Sequence, residues 1–321
     1  MRPPYTLSPG ILQKISLVER LLGRYEGLNH PKPSPTLRRS SRVKTIQSSL
    51  AIEGNTLTLE QVTAILEGKR VMGPKNEIRE VQNAVAAYER LDRWKPFVLK
   101  DLPQAHRVLM NGLVDTAGQW RRGAVGVMKG SQVAHLAPPA DRVPFLMKDL
   151  VSALRSESSI HPLILGAVFH YELEFIHPFE DGNGRIGRLW HTLILTHYHD
   201  LFAHVPVESM IRARQTEYYS TLEACDNAGE STAFIEFSLD AVSEALEETI
   251  SLVANKPVTA ERRLELAAEH FQTRAFARQE YMKLFPSLST ATASRDLKSA
   301  CENNLVRKQG DKAKARYRFI R

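Results

Sequence analysis

The chain has 321 residues, of which 43% are hydrophobic and 25% are charged, and its formal net charge is +7. This composition is that of an ordinary soluble globular protein. No apolar run approaches the roughly 18 residues needed to cross a membrane. Residues 1–10 contain three prolines and no apolar signal segment, and the two cysteines offer no disulfide framework. We therefore expect a cytoplasmic protein without a membrane partner.

The positive charge is unevenly placed. Residues 261–321 hold 14 Lys/Arg and 7 Asp/Glu, so the whole excess lies in the last fifth of the chain. This asymmetry predicts a separate basic module at the C-terminal end.

Helical patterns fill the N-terminal part. Apolar residues recur at helical spacing after a start signal at Ser8 and Pro9. Three prolines between positions 31 and 35 then end this helix. Thr58 and Gln61 form a capping-box pattern that starts another helix. The helices predicted after the prolines span residues 38–53, 58–68, 79–94 and 103–113.

The middle of the chain changes character between residues 118 and 139. Short alternating runs flank Gly130 and Ser131, which predicts a β-hairpin. Helices are again predicted over 144–154, 162–176 and 234–253. The strongly apolar segment 162–176 is expected to be the central buried helix, ended by Pro178.

Residues 177–188 read His-Pro-Phe-Glu-Asp-Gly-Asn-Gly-Arg-Ile-Gly-Arg. Gly182, Asn183 and Gly184 allow the backbone to turn tightly and to approach a ligand closely. A helix is predicted from Ile186, so the loop would lead into a helix N-terminus, which favours anions.

The side chains of this loop offer groups that could bind phosphate, exchange a proton and hold a metal ion. Arg185 and Arg188 offer planar donor groups suited to phosphate oxygens. His177 can exchange a proton near neutral pH, and Asp181 is a hard oxygen ligand for a divalent cation. The loop lacks the Gly-Lys-Ser/Thr ending of a Walker P-loop. It therefore predicts a site for a phosphate-bearing ligand, a metal and a base.

This segment resembles the signature of the Fic family, His-x-Phe-x-(Asp/Glu)-Gly-Asn-Gly-Arg-x-x-Arg, and matches it at every defined position. Most Fic proteins move AMP from ATP to a hydroxyl group of a target protein. The resemblance implies a mainly α fold, in which an N-terminal helical region over residues 1–98 precedes a helical core with a hairpin flap over 99–255. It also implies ATP as co-substrate, with Mg²⁺ held by Asp181.

The resemblance assigns roles along the loop. His177 would accept the proton of the target hydroxyl, and Arg188 would grip the γ-phosphate. The nucleotide would be bound by Gly182, Asn183, Gly184, Arg185, Ile186, Gly187 and Arg188. Tyr218 would lie against the base, with ordinary aromatic packing as the alternative. Relatives often carry Asn where this chain has Asp226, which leaves that base contact open.

Residues 49–54 resemble the inhibitory motif of Fic proteins, (Ser/Thr)-x-x-x-Glu-(Gly/Asn), with Ser49 and Glu53 at its defined positions. In the family this glutamate pairs with the second arginine of the signature, here Arg188. From the residues alone, Glu53 is a carboxylate at the C-terminal end of a helix, where the helix dipole does not stabilise a negative charge. A solvated glutamate is the alternative.

The predicted hairpin corresponds to the flap that the family places beside the active site. Its inner edge would be Val133, Ala134, His135 and Leu136. This edge could pair with an extended segment of the target. An ordinary surface hairpin is the alternative.

The basic tail has its own pattern. Helices are predicted over 261–271, 276–284 and 290–303, followed by strands over 305–310 and 315–319. This order resembles a winged helix-turn-helix domain, which we assign to residues 256–321. Its exposed reading face would carry Ser294, Arg295 and Lys298. Contact with DNA and contact with protein both remain open.

The predicted function is a protein adenylyltransferase, inhibited by Glu53, that modifies a Tyr, Ser or Thr hydroxyl, with self-modification and a homodimer as further possibilities. Removal of AMP by the same site, with Glu53 orienting water, is one alternative. A nucleotide-sensing DNA-binding regulator is another. Phosphorylation, as in the Doc branch, is disfavoured because that branch departs from the motif at the position of Gly184.

Overall fold

The computed structural model describes residues 3–28, 33–124, 126–129, 132–156, 160–254, 259–286, 288–310 and 315–320. In these ranges the chain forms fourteen α-helices and two two-stranded antiparallel sheets, so the predicted mainly helical fold is confirmed. None of the helices in the described ranges has both the length and the apolar character that crossing a bilayer requires. The chain divides into two compact units between Ser251 and Leu252.

Five helices open the first unit: α1 (Pro9–Glu26), α2 (Pro35–Ile52), α3 (Leu59–Leu66), α4 (Lys75–Tyr88) and α5 (Asp101–Leu109). The predicted capping box of Thr58 and Gln61 starts α3. Helix α2 begins three residues before the predicted start, because the Ser34 hydroxyl caps it. Pro35 is tolerated in its first turn, where no helical partner for an N–H exists.

A hairpin and six helices follow: β1 (Gly126–Lys129), β2 (Gln132–Leu136), α6 (Val143–Ser156), α7 (Pro162–Ile176), α8 (Asn183–Tyr198), α9 (Val207–Ala213), α10 (Gln215–Ala228) and α11 (Thr232–Ala254). The first unit ends within α11, at Ser251. The hairpin is antiparallel and shifts register between Val127 and Met128. The first helical region and the core predicted over 99–255 thus lie mainly in one compact unit.

Helices α7 and α8 form the centre of the first unit. Every residue from Leu163 to Tyr171 is buried, as predicted for the central helix. The two helices approach closely because glycines lie at their contact. A β-carbon at Gly187 would stand 3.0 Å from the His170 ring, and one at Gly166 would stand 2.9 Å from the His191 ring. This close packing fixes the loop that joins the two helices.

The second unit contains α12 (Ala260–Phe271), α13 (Arg278–Leu284), α14 (Thr290–Glu302) and the antiparallel strands β3 (Val306–Gln309) and β4 (Arg316–Phe319). Its core is an apolar cluster in which the rings of Phe271 and Phe276 stack 4.2 Å apart. Inside it the Asp296 carboxylate accepts two hydrogen bonds from Arg263, at 2.6 and 2.8 Å. Three helices followed by a hairpin is the predicted order of elements.

Candidate functional site

His177 stands at the end of α7 in a left-handed backbone conformation, with φ 49° and ψ 61°. This region is unfavourable for residues other than glycine, and such strain is found mainly at functional sites. The ring Nδ1 lies 3.3 Å from the carbonyl oxygen of Glu174. A carbonyl can only accept, so Nδ1 carries the proton. The Nε2 lone pair is therefore the one suited to accept a proton.

The Asn183 side chain closes the loop after His177. Its amide oxygen accepts from the N–H of Phe179, and its amide nitrogen donates to the Phe179 carbonyl, both at 2.9 Å. Gly182 caps the next helix with φ 83°, and a β-carbon there would lie 2.6 Å from the sulfur of Met110. Helix α8 consequently begins at Asn183 and not at the predicted Ile186.

The early start of α8 changes which backbone groups of the predicted phosphate cradle are open. The N–H of Ile186 donates to the Gly182 carbonyl at 3.0 Å, so it is already paired within the helix. Gly187 lies further into the helix, against His170 and Glu174. The open N–H groups of an α-helix are those of its first turn. Here that turn runs from Asn183 to Arg185.

A buried histidine supports the loop from α5. The Nδ1 of His106 accepts from the Gly118 N–H at 2.9 Å, so its Nε2 donates to the Asp181 carbonyl at 2.9 Å. Its ring stacks on Phe179 at 3.7 Å. Burial lowers the pKa of His106 to about 4, which keeps the ring neutral. Nothing in the spacing of the sequence pointed to this residue, which lies some 70 positions before the loop.

A buried arginine joins the loop to the base of the hairpin. Arg121 donates from Nε to the His177 carbonyl at 2.7 Å, from Nη1 to the Gly123 carbonyl at 2.9 Å and from Nη2 to the Pro138 carbonyl at 2.5 Å. Its side chain is thus bonded to backbone on three sides. Sequence reasoning missed this role, although Arg121 lies in the segment of the predicted hairpin.

Arg185 connects the loop to α4. Its Nη2 donates to both carboxylate oxygens of Asp181, at 2.9 and 3.0 Å, and its Nη1 donates to Glu80 Oε1 at 2.7 Å. The Arg185 side chain is only 6% exposed, whereas that of Asp181 is 56% exposed. Glu80 is a further residue that the sequence did not single out.

The exposure of Asp181 fits a cation that arrives with its ligand. Among the described residues, no group of three or more His, Cys, Asp or Glu side chains could hold a metal ion. Mg²⁺ is commonly bound by one or two carboxylates together with substrate phosphates. A half-exposed carboxylate beside an anion-binding helix end matches this arrangement.

Arg188 is almost completely buried, at 1% exposure. Its Nε donates to Ser49 Oγ at 3.1 Å, and its Nη2 donates to the Ser49 carbonyl at 2.9 Å and to Glu53 Oε1 at 2.8 Å. Burial alone would lower the pKa of Arg188, but Glu53 and its other acidic neighbours raise it overall. The arginine is therefore charged, and the predicted pair with Glu53 is present.

Glu53 also covers the first turn of α8. It caps the C-terminus of α2, and Gly54 follows it with φ 91°. A β-carbon at Gly184 would overlap the Oε1 atom of Glu53. The glutamate carboxylate thus lies where the helix end favours an anion.

Tyr218 lies behind Arg188 and not at an open surface. It is 1% exposed, its hydroxyl lies 3.1 Å from His170 Nε2, and its ring packs near Phe234. This position favours the packing alternative over a base contact. Its neighbour Tyr219 is 42% exposed and donates to the Ile52 carbonyl at 3.3 Å. Asp226 accepts from the Tyr171 hydroxyl at 3.0 Å.

The predicted flap edge forms most of β2. His135 is paired with Val127 and Val133 with Met128, and Ala134 falls at the register shift between them. Leu136 pairs with Gly126, and β2 lies beside α10. These residues are described by their backbone alone. The side chains of Val133–Leu136 lie outside the described part of the chain.

The helical core, the hairpin and the anion loop between α7 and α8 define a Fic-type fold. Residues 73–195 match the family model described as Fic/DOC family. The chain is 42% identical to a Fic family protein from Desulfovibrio desulfuricans G20, whose crystal structure it matches with a TM-score of 0.76 over 100% of this chain and 98% of that one. The chain belongs to the Fic family.

Two further comparisons extend this relationship. Fic-1 from C. elegans, residues 134–508, is 27% identical with a TM-score of 0.63, covering 76% of this chain and 72% of that one. The proteins named Protein adenylyltransferase Fic from Drosophila virilis and Drosophila melanogaster are each 32% identical, over 63% of this chain. The chain spans about two fifths of the length of these curated relatives, 41% in both cases.

The buried carboxyl of Glu174 gives a test of the site's electrostatics. Burial raises the pKa of Glu174 from 4.5 to about 7, although His177 and Arg188 oppose this. Between these two pH values the folded chain keeps a proton that the unfolded chain has released. Ionising Glu174 as the pH rises through this window therefore lowers the free energy of unfolding.

We predict that Glu174→Gln removes this pH-dependent fall in the free energy of unfolding. The difference in the free energy of unfolding between variant and wild type should grow from pH 4.5 to 7 and then level off, reaching about 1–3 kcal/mol in favour of the variant. Urea unfolding at several pH values measures it. A difference that is independent of pH would contradict the assignment.

Proposed function

We propose that this protein is an adenylyltransferase that moves AMP from ATP to a Tyr, Ser or Thr hydroxyl of a target protein, itself included. One observation carries the proposal. Each of the two loop arginines keeps one buried N–H donor, Arg185 Nε and Arg188 Nη1, without a hydrogen-bond partner in the described ranges. Buried donors of a charged group are costly to leave unpaired, and they flank the helix end that favours anions. A polyphosphate would satisfy both.

The reaction follows from the positions of these groups. The hydroxyl oxygen of the target attacks the α-phosphorus of ATP, the bond to the β-phosphate oxygen breaks, and pyrophosphate leaves. His177 Nε2 takes the hydroxyl proton, because Nδ1 is directed to the Glu174 carbonyl. The first-turn N–H groups of α8 and the arginines stabilise charge on the phosphates. Mg²⁺, held by Asp181, would supply further charge neutralisation.

The inhibition that we propose is a competition between anions. Glu53 and the γ-phosphate of ATP are both negative and both match the Arg188 guanidinium. While Glu53 accepts from Nη2 at 2.8 Å and lies against Gly184, a γ-phosphate would have to displace it to pair with this side of the Arg188 guanidinium. ATP is then held weakly or with its α-phosphate out of line. A protein substrate and, in a dimer, a second copy could both alter this balance.

Glu53→Gly is predicted to raise AMP transfer at least about tenfold, because one charge-assisted hydrogen bond that competes with ATP is removed. Incorporation of label from α-labelled ATP, into the protein itself and into lysate proteins, measures the rise. Glu67→Gly is the matched control. Glu67 also caps a helix C-terminus before a glycine with positive φ, but it pairs with exposed Arg39 and Lys69. Equal labelling by wild type and Glu53→Gly would remove Glu53 from the proposed inhibition.

His177→Ala, placed in the Glu53→Gly protein, is predicted to lower transfer by a factor of about 10² to 10⁴, because the general base is lost. Binding of ATP, followed by calorimetric titration, should persist because the arginines and the helix end remain. His197→Ala on the exposed end of α8 serves as the control. Substantial transfer by His177→Ala would exclude His177 as the essential base.

Removal of AMP is a second activity that one observation favours. The Glu53 carboxylate lies beside Gly184 at the helix end, and in this activity it would orient a water molecule toward a phosphorus atom bound there. Release of AMP from a modified target would then need Glu53, whereas transfer would not. Assays of transfer and release on the same two proteins, wild type and Glu53→Gly, separate the two activities.

The second unit carries a separate proposal, that it is a winged helix-turn-helix domain that contacts DNA. Arg307 and Arg318 are both exposed and directly opposite each other in the β3–β4 hairpin. Like charges in this position are destabilising, so an anionic partner would relieve them. Arg295 and Lys298 on α14 are exposed as well. Ser294 is already bonded, since its hydroxyl accepts from Arg278 and donates to Thr290.

Replacing both Arg307 and Arg318 with Gln is predicted to weaken binding of duplex DNA by the full chain. The slope of log affinity against log salt should fall by about two, one for each lost phosphate contact. Fluorescence anisotropy over a salt series measures this. Arg262→Gln, on the same unit but paired with Glu265 at 2.8 Å, is the control. No salt-dependent binding by the wild type would leave the unit as a protein-interaction module.

A further inference from the structure

Glu80 joins two parts of the site that are far apart in the sequence. Its Oε1 accepts from Arg185 Nη1 at 2.7 Å, and its Oε2 accepts from Asn55 Nδ2 at 2.8 Å. Asn55 follows the inhibitory Glu53 by two residues, whereas Arg185 is the first arginine of the loop. One partly buried carboxylate on α4 therefore bonds both to the segment that follows Glu53 and to Arg185 of the loop.

The segment 53–57, here named the inhibitory turn, is held firmly at Asn55. That side chain is 8% exposed. Its Nδ2 donates to the Glu77 carbonyl at 3.2 Å as well as to Glu80, and its Oδ1 accepts from the Leu57 N–H at 3.1 Å. Glu77 Oε2 adds an exposed contact, accepting from the N–H of Thr56 at 2.6 Å. Asn55 is thus the buried residue that anchors the turn, and Glu80 is the side chain that accepts from it.

We propose that Glu80 is a positioning residue that keeps Glu53 on Arg188 by binding the inhibitory turn and Arg185 at the same time. The inference rests on the proposed transferase function and specifies its regulation. A polyphosphate that draws Arg185 toward itself weakens the Arg185–Glu80 bond. The same movement loosens the inhibitory turn, so that occupation of Arg185 and release of Glu53 become linked.

The hydrogen bonds of Glu80 determine whether its substitution favours or opposes ATP binding. In Glu80→Gln the amide oxygen can still accept one hydrogen bond, but the amide N–H group faces the other donor. Arg185 or Asn55 then loses its acceptor while remaining buried, and a buried donor without a partner is destabilising. The site also gains one unit of positive charge. A looser inhibitory turn and a more positive site both favour ATP.

Three variants test this. Glu80→Gln in the otherwise intact chain is expected to raise AMP transfer about five- to tenfold, with tighter ATP binding. In the Glu53→Gly background the same change should raise transfer less than twofold, because only the added positive charge of the site still acts. The side chain of Glu77, one helical turn away on α4, contacts the inhibitory turn only at exposed Thr56. Its carbonyl, which accepts from Asn55, is unchanged in Glu77→Gln, so this variant should raise transfer less than twofold.

The results of these experiments distinguish a failure of the proposed role of Glu80 from a failure of the proposed transferase function. Suppose that Glu53→Gly transfers AMP, but Glu80→Gln transfers it only at the rate of wild type or of Glu77→Gln. The proposed role of Glu80 is then wrong, and the proposed function is retained. If Glu80→Gln lowers both transfer and the thermal unfolding midpoint in both backgrounds, Glu80 only supports the fold and the inference is overturned. If Glu53→Gly neither binds ATP nor transfers AMP, both fall together.

Discussion

The Arg188 guanidinium is the constraint on which the rest of the site depends. A buried cation is tolerated only when an anion and further acceptors surround it, because desolvation is otherwise too costly. In this chain Ser49 and Glu53 provide them, with three hydrogen bonds to Arg188. Any state in which Glu53 leaves must replace its charge. The Glu53–Arg188 contact and the proposed affinity for an anionic ligand are therefore two consequences of one buried charge.

The rigidity of the surrounding loop makes this exchange specific. Asn183 closes the turn, His106 holds the Asp181 carbonyl and Arg121 holds the His177 carbonyl. These bonds are all to backbone, so they fix the direction of the loop without using the groups that would meet a ligand. The glycine contacts between α7 and α8 set the distance of the loop from the helices. A preorganised loop of this kind loses little entropy when an anion binds.

The features that could be predicted from the sequence are those that depend on residues close together in the chain. The capping box at Thr58, the extent of α7 and the motif of the loop are local patterns, and the first two are confirmed. The predicted start of α8, Ile186, was three residues too late. The two hydrogen bonds between the Asn183 side chain and the Phe179 backbone close the loop before this start, and they depend on three-dimensional geometry and not on sequence spacing. Glu80, His106 and Arg121 were missed because their partners lie 56 to 105 positions away. Such contacts leave no periodic trace in a single sequence.

Charge around the loop explains why a metal and a polyphosphate would act together. Glu53 and Glu174 stand near Arg188, and Glu80 and Asp181 bind Arg185, so four acidic groups face two arginines. An incoming triphosphate alone would meet like charge from the groups that it does not displace. A divalent cation on Asp181 would convert one of these acids from a repulsive neighbour into a ligand and release Arg185 Nη2 for the phosphates. Asp181 would then pair with the metal in place of Arg185, and the two arginines would pair with phosphate in place of the carboxylates.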